Sequence, residues 1–236
     1  MADISFITER DKLSPISEAY RAIRTNLQFA GADKAIKTVV FTSAIPSEGK
    51  STTNINLAIV MGQDHKRVLL IDADMRRPVL HRRFGLENRG LSNCFADGLS
   101  LKDVIQHDVA ENLDVVTSGP VPPNPAELLG SAKMQELLKE AEAEYDYVFF
   151  DMPPILVVTD AAVVGSKADG VILVVGSGDI SPDEARQAKD LLEKAHVNIL
   201  GVVLNKVPQK HQGNYYYYYY YDENHEKHKK HKKQKS

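Results

Sequence analysis

The chain of 236 residues holds one cysteine, Cys94, and no tryptophan. A single thiol closes no internal disulfide, and the context "GLSNCFADG" offers no CxxC pair, so Cys94 reads as a small buried apolar residue in a reducing compartment. Long apolar runs are missing too: nothing approaches the roughly 18 to 20 consecutive apolar residues that cross a bilayer. The N-terminus, MADISFITERDKLSP, lacks the basic start and apolar run of a secretory leader. These absences exclude a disulfide scaffold and predict a chain that is neither exported nor membrane-spanning by itself.

What remains is a composition with 43% apolar residues, enough to build an ordinary core. The formal charge of −3 hides an asymmetry. Residues 222–236 carry six Lys against three Asp/Glu, a net +3, which leaves −6 for everything before them. That end, "DENHEKHKKHKKQKS", has no apolar residue and reads as a solvated, flexible tail. His225, His228 and His231 form no closed ligand set within it, so no metal is assigned there. No nucleic-acid partner is expected.

Six continuous apolar, β-branched runs recur: "TVVFTS" (38–43), "RVLLID" (67–72), "LDVVTS" (113–118), "YVFFD" (147–151), "GVILVV" (170–175) and "ILGVVL" (199–204). Continuous rather than alternating apolarity predicts strands covered on both faces. Stretches with three-to-four-residue periodicity lie between them: 51–63, 131–145 and 181–196. Strands alternating with helices predict an α/β fold with a mostly parallel sheet and helices on both faces. Ahead of it, Ile16, Ala19, Tyr20, Ile23 and Leu27 mark an amphipathic helix within 14–30. The four prolines of "GPVPPNPAELLGS" (119–131) predict a loop that ends in a helix start.

The first strand runs into "SAIPSEGKSTTN" (43–54), the strand, tight turn and helix that a phosphate cradle requires. Backbone amides at the turn and helix N-terminus point at phosphate oxygens, Lys50 reaches the β/γ-phosphates, and the Ser51 hydroxyl can ligate Mg²⁺. Ala44 replaces the first glycine of the usual G-x-x-x-x-G-K-[ST] pattern. Two further strands end in carboxylates, Asp72-x-Asp74 and Asp151-Met152-Pro153-Pro154. Any one aspartate could be a helix cap, but in an open parallel sheet three strand-end carboxylates converge on one crevice with Lys50. Their mutual repulsion calls for a cation, which Mg²⁺ bound to nucleotide phosphates supplies.

Leu69-Leu70-Ile71-Asp72-Ala73-Asp74-Met75-Arg76-Arg77-Pro78 and Val148-Phe149-Phe150-Asp151-Met152-Pro153-Pro154, with Glu18-x-x-Arg21-x-x-Arg24 and a tyrosine cluster at the C-terminus, resemble the motif set of the bacterial tyrosine kinases of capsular and exopolysaccharide biosynthesis. The resemblance covers essentially the whole chain. It implies a P-loop NTPase of MinD/ParA-like architecture and an ATP- and Mg²⁺-dependent protein-tyrosine autokinase. It divides the chain into an N-terminal oligomerisation region (1–34), a kinase domain (35–207) and a tyrosine-rich, basic tail (208–236). ATP would be held by Ser47, Glu48, Gly49, Lys50, Ser51 and Thr52, with Asn205 at the adenine. Mg²⁺ would be held by Ser51, Asp74 and Asp151, and Asp72 would take the tyrosine proton. The acceptors would be Tyr215, Tyr216, Tyr217, Tyr218, Tyr219, Tyr220 and Tyr221. Glu18, Arg21 and Arg24 would pack against the next subunit of a ring.

The same resemblance implies a membrane-spanning activator that engages the chain through a cytoplasmic segment, a bacterial cytoplasmic location at the inner face of the membrane, exogenous tyrosine substrates and a cognate phosphotyrosine phosphatase. Two other readings compete. One is a nucleotide-switched positioning ATPase; its extra loop lysine is absent, Ile45 standing at that position. The other is a scaffold in which ATP only stabilises the assembly.

Overall fold

In the computed structural model, which describes residues 6–32 and 34–208, the six apolar runs form strands of one seven-stranded sheet. They are β1 (Thr38–Ser43), β2 (Val68–Asp72), β4 (Leu113–Val116), β5 (Tyr147–Asp151), β6 (Gly170–Gly176) and β7 (Ile199–Asn205). The seventh, β3 (Gln106–Ala110), carries little apolar character and pairs antiparallel with β4 at an edge, so the apolar pattern did not reveal it. Every other pairing is parallel, in the order β3-β4-β2-β5-β1-β6-β7.

The continuity of the apolar runs has its reason in the two layers of core. Along each central strand successive side chains point to opposite faces. Val40, Leu69, Ile71, Val148, Phe150, Val171 and Leu173 enter one cluster with α5 (Leu91–Ala96), α6 (Pro125–Gly130), α7 (Ala132–Glu144), α8 (Asp160–Gly165) and α9 (Pro182–Lys194). Val39, Phe41, Val68, Leu70, Phe149, Ile172 and Val174 enter the other with α2 (Pro15–Ala30), α3 (Lys50–Gln63) and α4 (Leu80–Phe84). Helices therefore cover both faces of the central strands; at the edge strand β7 the expected coverage fails, since Val202 and Leu204 are 60% and 58% exposed.

Local chemistry sets the helix starts. Ser14 caps α2, accepting from the Ser17 amide at 3.1 Å, with Pro15 in the first turn. Ser181 and Glu184 cap α9 reciprocally, at 3.2 Å and 2.8 Å. The prolines of 119–131 lead into α6, as expected, but the short helices α4, α5, α8 and α1 (Ile7–Arg10) span too few turns to show a period. The N-terminal helices pack on α3, where the Thr8 hydroxyl donates to Asn56 at 2.9 Å, and Phe6 meets Phe84 of α4 with tilted rings whose centroids lie 5.0 Å apart. One compact unit extends through Asn205. Among the described residues no helix is long and apolar enough to cross a membrane.

Phe149 is fully buried, its ring 5.1 Å from Phe41 and 5.9 Å from Tyr147. Phe149→Ala is expected to cost about 3–5 kcal/mol in urea unfolding; an unchanged midpoint would refute this account of the core.

Candidate active site

The turn between β1 and α3 is shaped by contacts within the protein. Gly49 caps α3 with φ +96°, and a Cβ there would lie 2.0 Å from Asn205 Nδ2, so only glycine fits. Ser47 also adopts the left-handed region, at φ 72°, which L side chains rarely occupy. Glu48 is fully buried, and its carboxylate points back into the fold rather than out of the loop. One oxygen accepts from the Ile45 amide at 2.8 Å and the other from the Gly176 amide at 2.9 Å. The Glu48 carbonyl accepts from Asn205 Nδ2 at 2.9 Å. Glu48 thus acts as a strut that ties the loop to the ends of β6 and β7.

The three aspartates converge because of strand register. Asp72 pairs with Asp151 across β2 and β5. Each lies two residues beyond a side chain, Leu70 or Phe149, of the cluster that includes α3, so both carboxylates turn toward the helix that begins with Lys50. The Lys50 ammonium lies 3.2 Å from Asp74 Oδ2, 3.2 Å from Asp151 Oδ1 and 3.3 Å from the Ser51 hydroxyl. Burial pulls its pKa down, but Asp151, then Asp74 and Asp72, hold it above the ordinary value.

The carboxylates have too few partners for their burial. Asp72 is fully buried, and its Oδ2 accepts from the Val79 and Leu80 amides at 2.9 Å each, which anchors the start of α4. Its Oδ1 has no partner among the described residues. Burial first, and the neighbouring Asp151 second, push its pKa up to about 7. Asp151 has an orphaned Oδ2 and a pKa raised by burial, which Lys50 and the Ser51 hydroxyl partly oppose. Asp74 Oδ1 accepts from the Arg77 amide at 3.0 Å. Three carboxylates facing one ammonium leave a deficit of positive charge that a divalent cation would meet. No cluster of three or more His, Cys, Asp or Glu side chains among the described residues could hold a metal by itself.

The remaining residues singled out in the sequence fall in three places. Thr52 is exposed in the first turn of α3, beside the loop. The N-terminal charges lie on α2: Glu18 pairs with Arg21 at 2.7 Å, and Arg21 also donates to the Lys12 carbonyl. Arg24 turns onto its own chain, 3.3 Å from the Val60 carbonyl and 3.4 Å from Asp64. Tyr215 to Tyr221 lie outside the described residues. Sequence reasoning missed Asp160, which is fully buried and grips Arg76, although the Thr159-Asp160 start of α8 was a visible helix-start signal.

Residues 37–194 match the AAA domain family, whose fold binds nucleotide. Over 203 residues the chain is 50% identical to the tyrosine-protein kinase YwqD of Bacillus subtilis, covering 85% of this chain and 86% of the relative. The kinase domain of the Escherichia coli tyrosine kinase ETK superposes with a TM-score of 0.85 at 39% identity, covering 91% of this chain and 85% of that one. The septum site-determining protein MinD from Pyrococcus horikoshii shares the fold at a TM-score of 0.63 and 24% identity, over 75% and 73% of the two chains. With half of all matched positions identical to those of a named tyrosine-protein kinase, over most of both chains, the chain belongs to the bacterial tyrosine-protein kinases built on a P-loop nucleotide-binding domain.

Proposed function

We propose that the chain is an Mg-ATP-dependent autokinase that phosphorylates Tyr215 to Tyr221 in trans within a ring and so regulates capsular or extracellular polysaccharide synthesis and export. The observation that carries this reading is the contact of Lys50 with Asp74 and Asp151 beside Asp72, with one oxygen of Asp72 and one of Asp151 buried and lacking a partner among the described residues. Phosphoryl transfer needs mostly positioning and charge neutralisation. The amides of residues 47–52 and the Lys50 ammonium hold the ATP phosphates, with Thr52 near the α-phosphate and Asn205 at the nucleotide's edge. Ser51, Asp74 and Asp151 hold Mg²⁺, directly or through water; the ion supplies neutralisation of phosphate charge. Asp151 Oδ2, buried and without a partner among the described residues, fits that role, and the phosphate oxygens complete a ligand set that the side chains alone do not.

Asp72 takes the acceptor proton. Asp72 Oδ1 has no competing hydrogen bond among the described residues, and burial, the largest cause, raises its pKa above the usual carboxylate range, in the direction that suits a base. The tail's repetition serves access: seven successive phenols, Tyr215 to Tyr221, offer seven acceptors, and each gains roughly −1.5 to −2 charges when phosphorylated, which would drive a ring apart. Glu18, with its side chain 72% exposed, and the exposed Ile16 and Phe29 on α2 support a subunit contact there. A membrane-spanning partner activates the kinase and holds it at the inner face of the membrane. Exogenous substrates and a phosphatase complete the cycle.

Asp72→Asn should lower phosphate incorporation by roughly 100-fold or more while leaving ADP affinity unchanged, as measured by intact mass and by titration of labelled ADP; undiminished incorporation would remove Asp72 from the base role. The same substitution should alter stability with pH. Because the folded pKa of Asp72 lies above its unfolded value of 3.8, the protonated form favours folding, and that stability is full below about pH 4 and lost as pH rises through about 7. Asp72→Asn should therefore become more stable than wild type by on the order of 2–4 kcal/mol between pH 4 and 8 in urea unfolding. A difference constant with pH would contradict the raised pKa. Replacing Glu18, Arg21 and Arg24 together with Ala should give monomers in light scattering with ATP bound, whereas oligomers of wild-type mass would count against the proposed subunit contact.

A further inference from the structure

Arg76 follows Asp74 by two residues, and the account of phosphoryl transfer leaves it without a task. Its side chain reaches across to the first residue of α8. Nε lies 2.8 Å from Asp160 Oδ2 and an Nη nitrogen 3.1 Å from Oδ1, a two-pronged fork that a lysine cannot reproduce. Asp160 is fully buried, whereas the Arg76 side chain remains 39% exposed, so the buried carboxylate depends on a cation delivered from the rim of the site. The hydrogen bond to Asp160 is the chief reason that the Arg76 pKa is raised, with Asp74 contributing less.

The segment that follows Asp151 is itself bound to the phosphate loop: the Ile155 amide donates to the Ser43 carbonyl at 2.8 Å and the Leu156 amide to the Ala44 carbonyl at 3.2 Å. The segment after β2 is held by Asp72 and Asp74 through the amides of Val79, Leu80 and Arg77. Between these two segments the fork is a side-chain link that joins the element bearing Asp72 and Asp74 to the one that leads from Asp151 into α8.

We propose that Arg76 and Asp160 are positioning residues: their paired contact fixes the loop that leaves β2 and carries Asp74 against the segment that follows Asp151, so that Asp74 addresses the same bound nucleotide as the sheet-paired Asp72 and Asp151. Neither residue touches the reacting atoms. The inference rests on the roles given above to Asp72 and Asp74. A displaced loop lowers turnover without removing the cradle that binds nucleotide, since that cradle is built from β1, α3 and Glu48.

The test compares the wild-type full chain with Arg76→Lys, Arg76→Ala, Asp160→Asn and the double variant Arg76→Met/Asp160→Leu, which leaves no buried charge unpaired. Initial rates of phosphate incorporation over a range of ATP concentrations are read beside labelled-ADP affinity and thermal unfolding midpoints. Each single variant is expected to lose about 10- to 100-fold in rate at saturating ATP, with KM for ATP and ADP affinity unchanged. The double variant should lose no more than the worse single one, and should keep that loss with an unfolding midpoint near wild type. Unaltered rates in Arg76→Lys, losses that multiply in the double variant, or ADP affinity that falls in step with rate would each overturn the proposal. Active wild type with unaffected variants would remove the positioning role alone; wild type that binds ADP and incorporates no phosphate even with the cytoplasmic segment of its membrane partner present would take the site reading down with it.

Discussion

Everything in this site turns on a crowding of negative charge that the fold imposes and only partly relieves. Parallel pairing sets Asp72 beside Asp151, and the loop after β2 brings Asp74 to the same ammonium. Burial makes each carboxylate costly when ionised, and one lysine answers three of them. The consequence appears in the raised pKa values of Asp72 and Asp151 and in two oxygens without partners among the described residues. Such an arrangement spends stability on negative charge that the protein leaves unmet, a demand that the proposed Mg²⁺ would answer.

The phosphate loop solves a different problem, that of holding a shape with two residues in left-handed conformation. Glu48 does so from inside. Its carboxylate takes amides from both the start of the loop and the end of β6, and its carbonyl takes the Asn205 side chain from the end of β7. The loop's geometry is thus fixed by the carboxyl ends of three adjacent strands, β1, β6 and β7, in a sheet whose order places them side by side. Rigid support beneath and unmet charge in front are what a phosphoryl-transfer site requires of its scaffold.

Much of this was legible in the sequence because the signals were long or chemically unusual. Five buried strands and the partly exposed edge strand β7 announced themselves by apolar runs, and the carboxylates at the ends of β2 and β5 pointed to one crevice before any geometry was known. Strand β3 was not legible, since an exposed edge needs no apolar pattern. Nor was the inward turn of Glu48: its place in the loop suggested a phosphate contact through the backbone, and only long-range contact with Gly176 reveals the strut. Asp160 escaped for the same reason, being 84 residues from Arg76 in sequence. Arg24 looked like a member of one charged helix face with Glu18 and Arg21, yet the packing of α2 on α3 turns it to Val60 and Asp64.

The central claim is that Lys50 and the three aspartates transfer phosphate from ATP to the chain's own tyrosines. Intact-mass and phosphopeptide analysis of the full chain after incubation with Mg-ATP, beside a Lys50→Met control, tests it most directly. The account predicts phosphate increments confined to Tyr215 to Tyr221 in the wild type and lost in the control. ATP consumed with every tail tyrosine unmodified would contradict it and favour a nucleotide-switched ATPase.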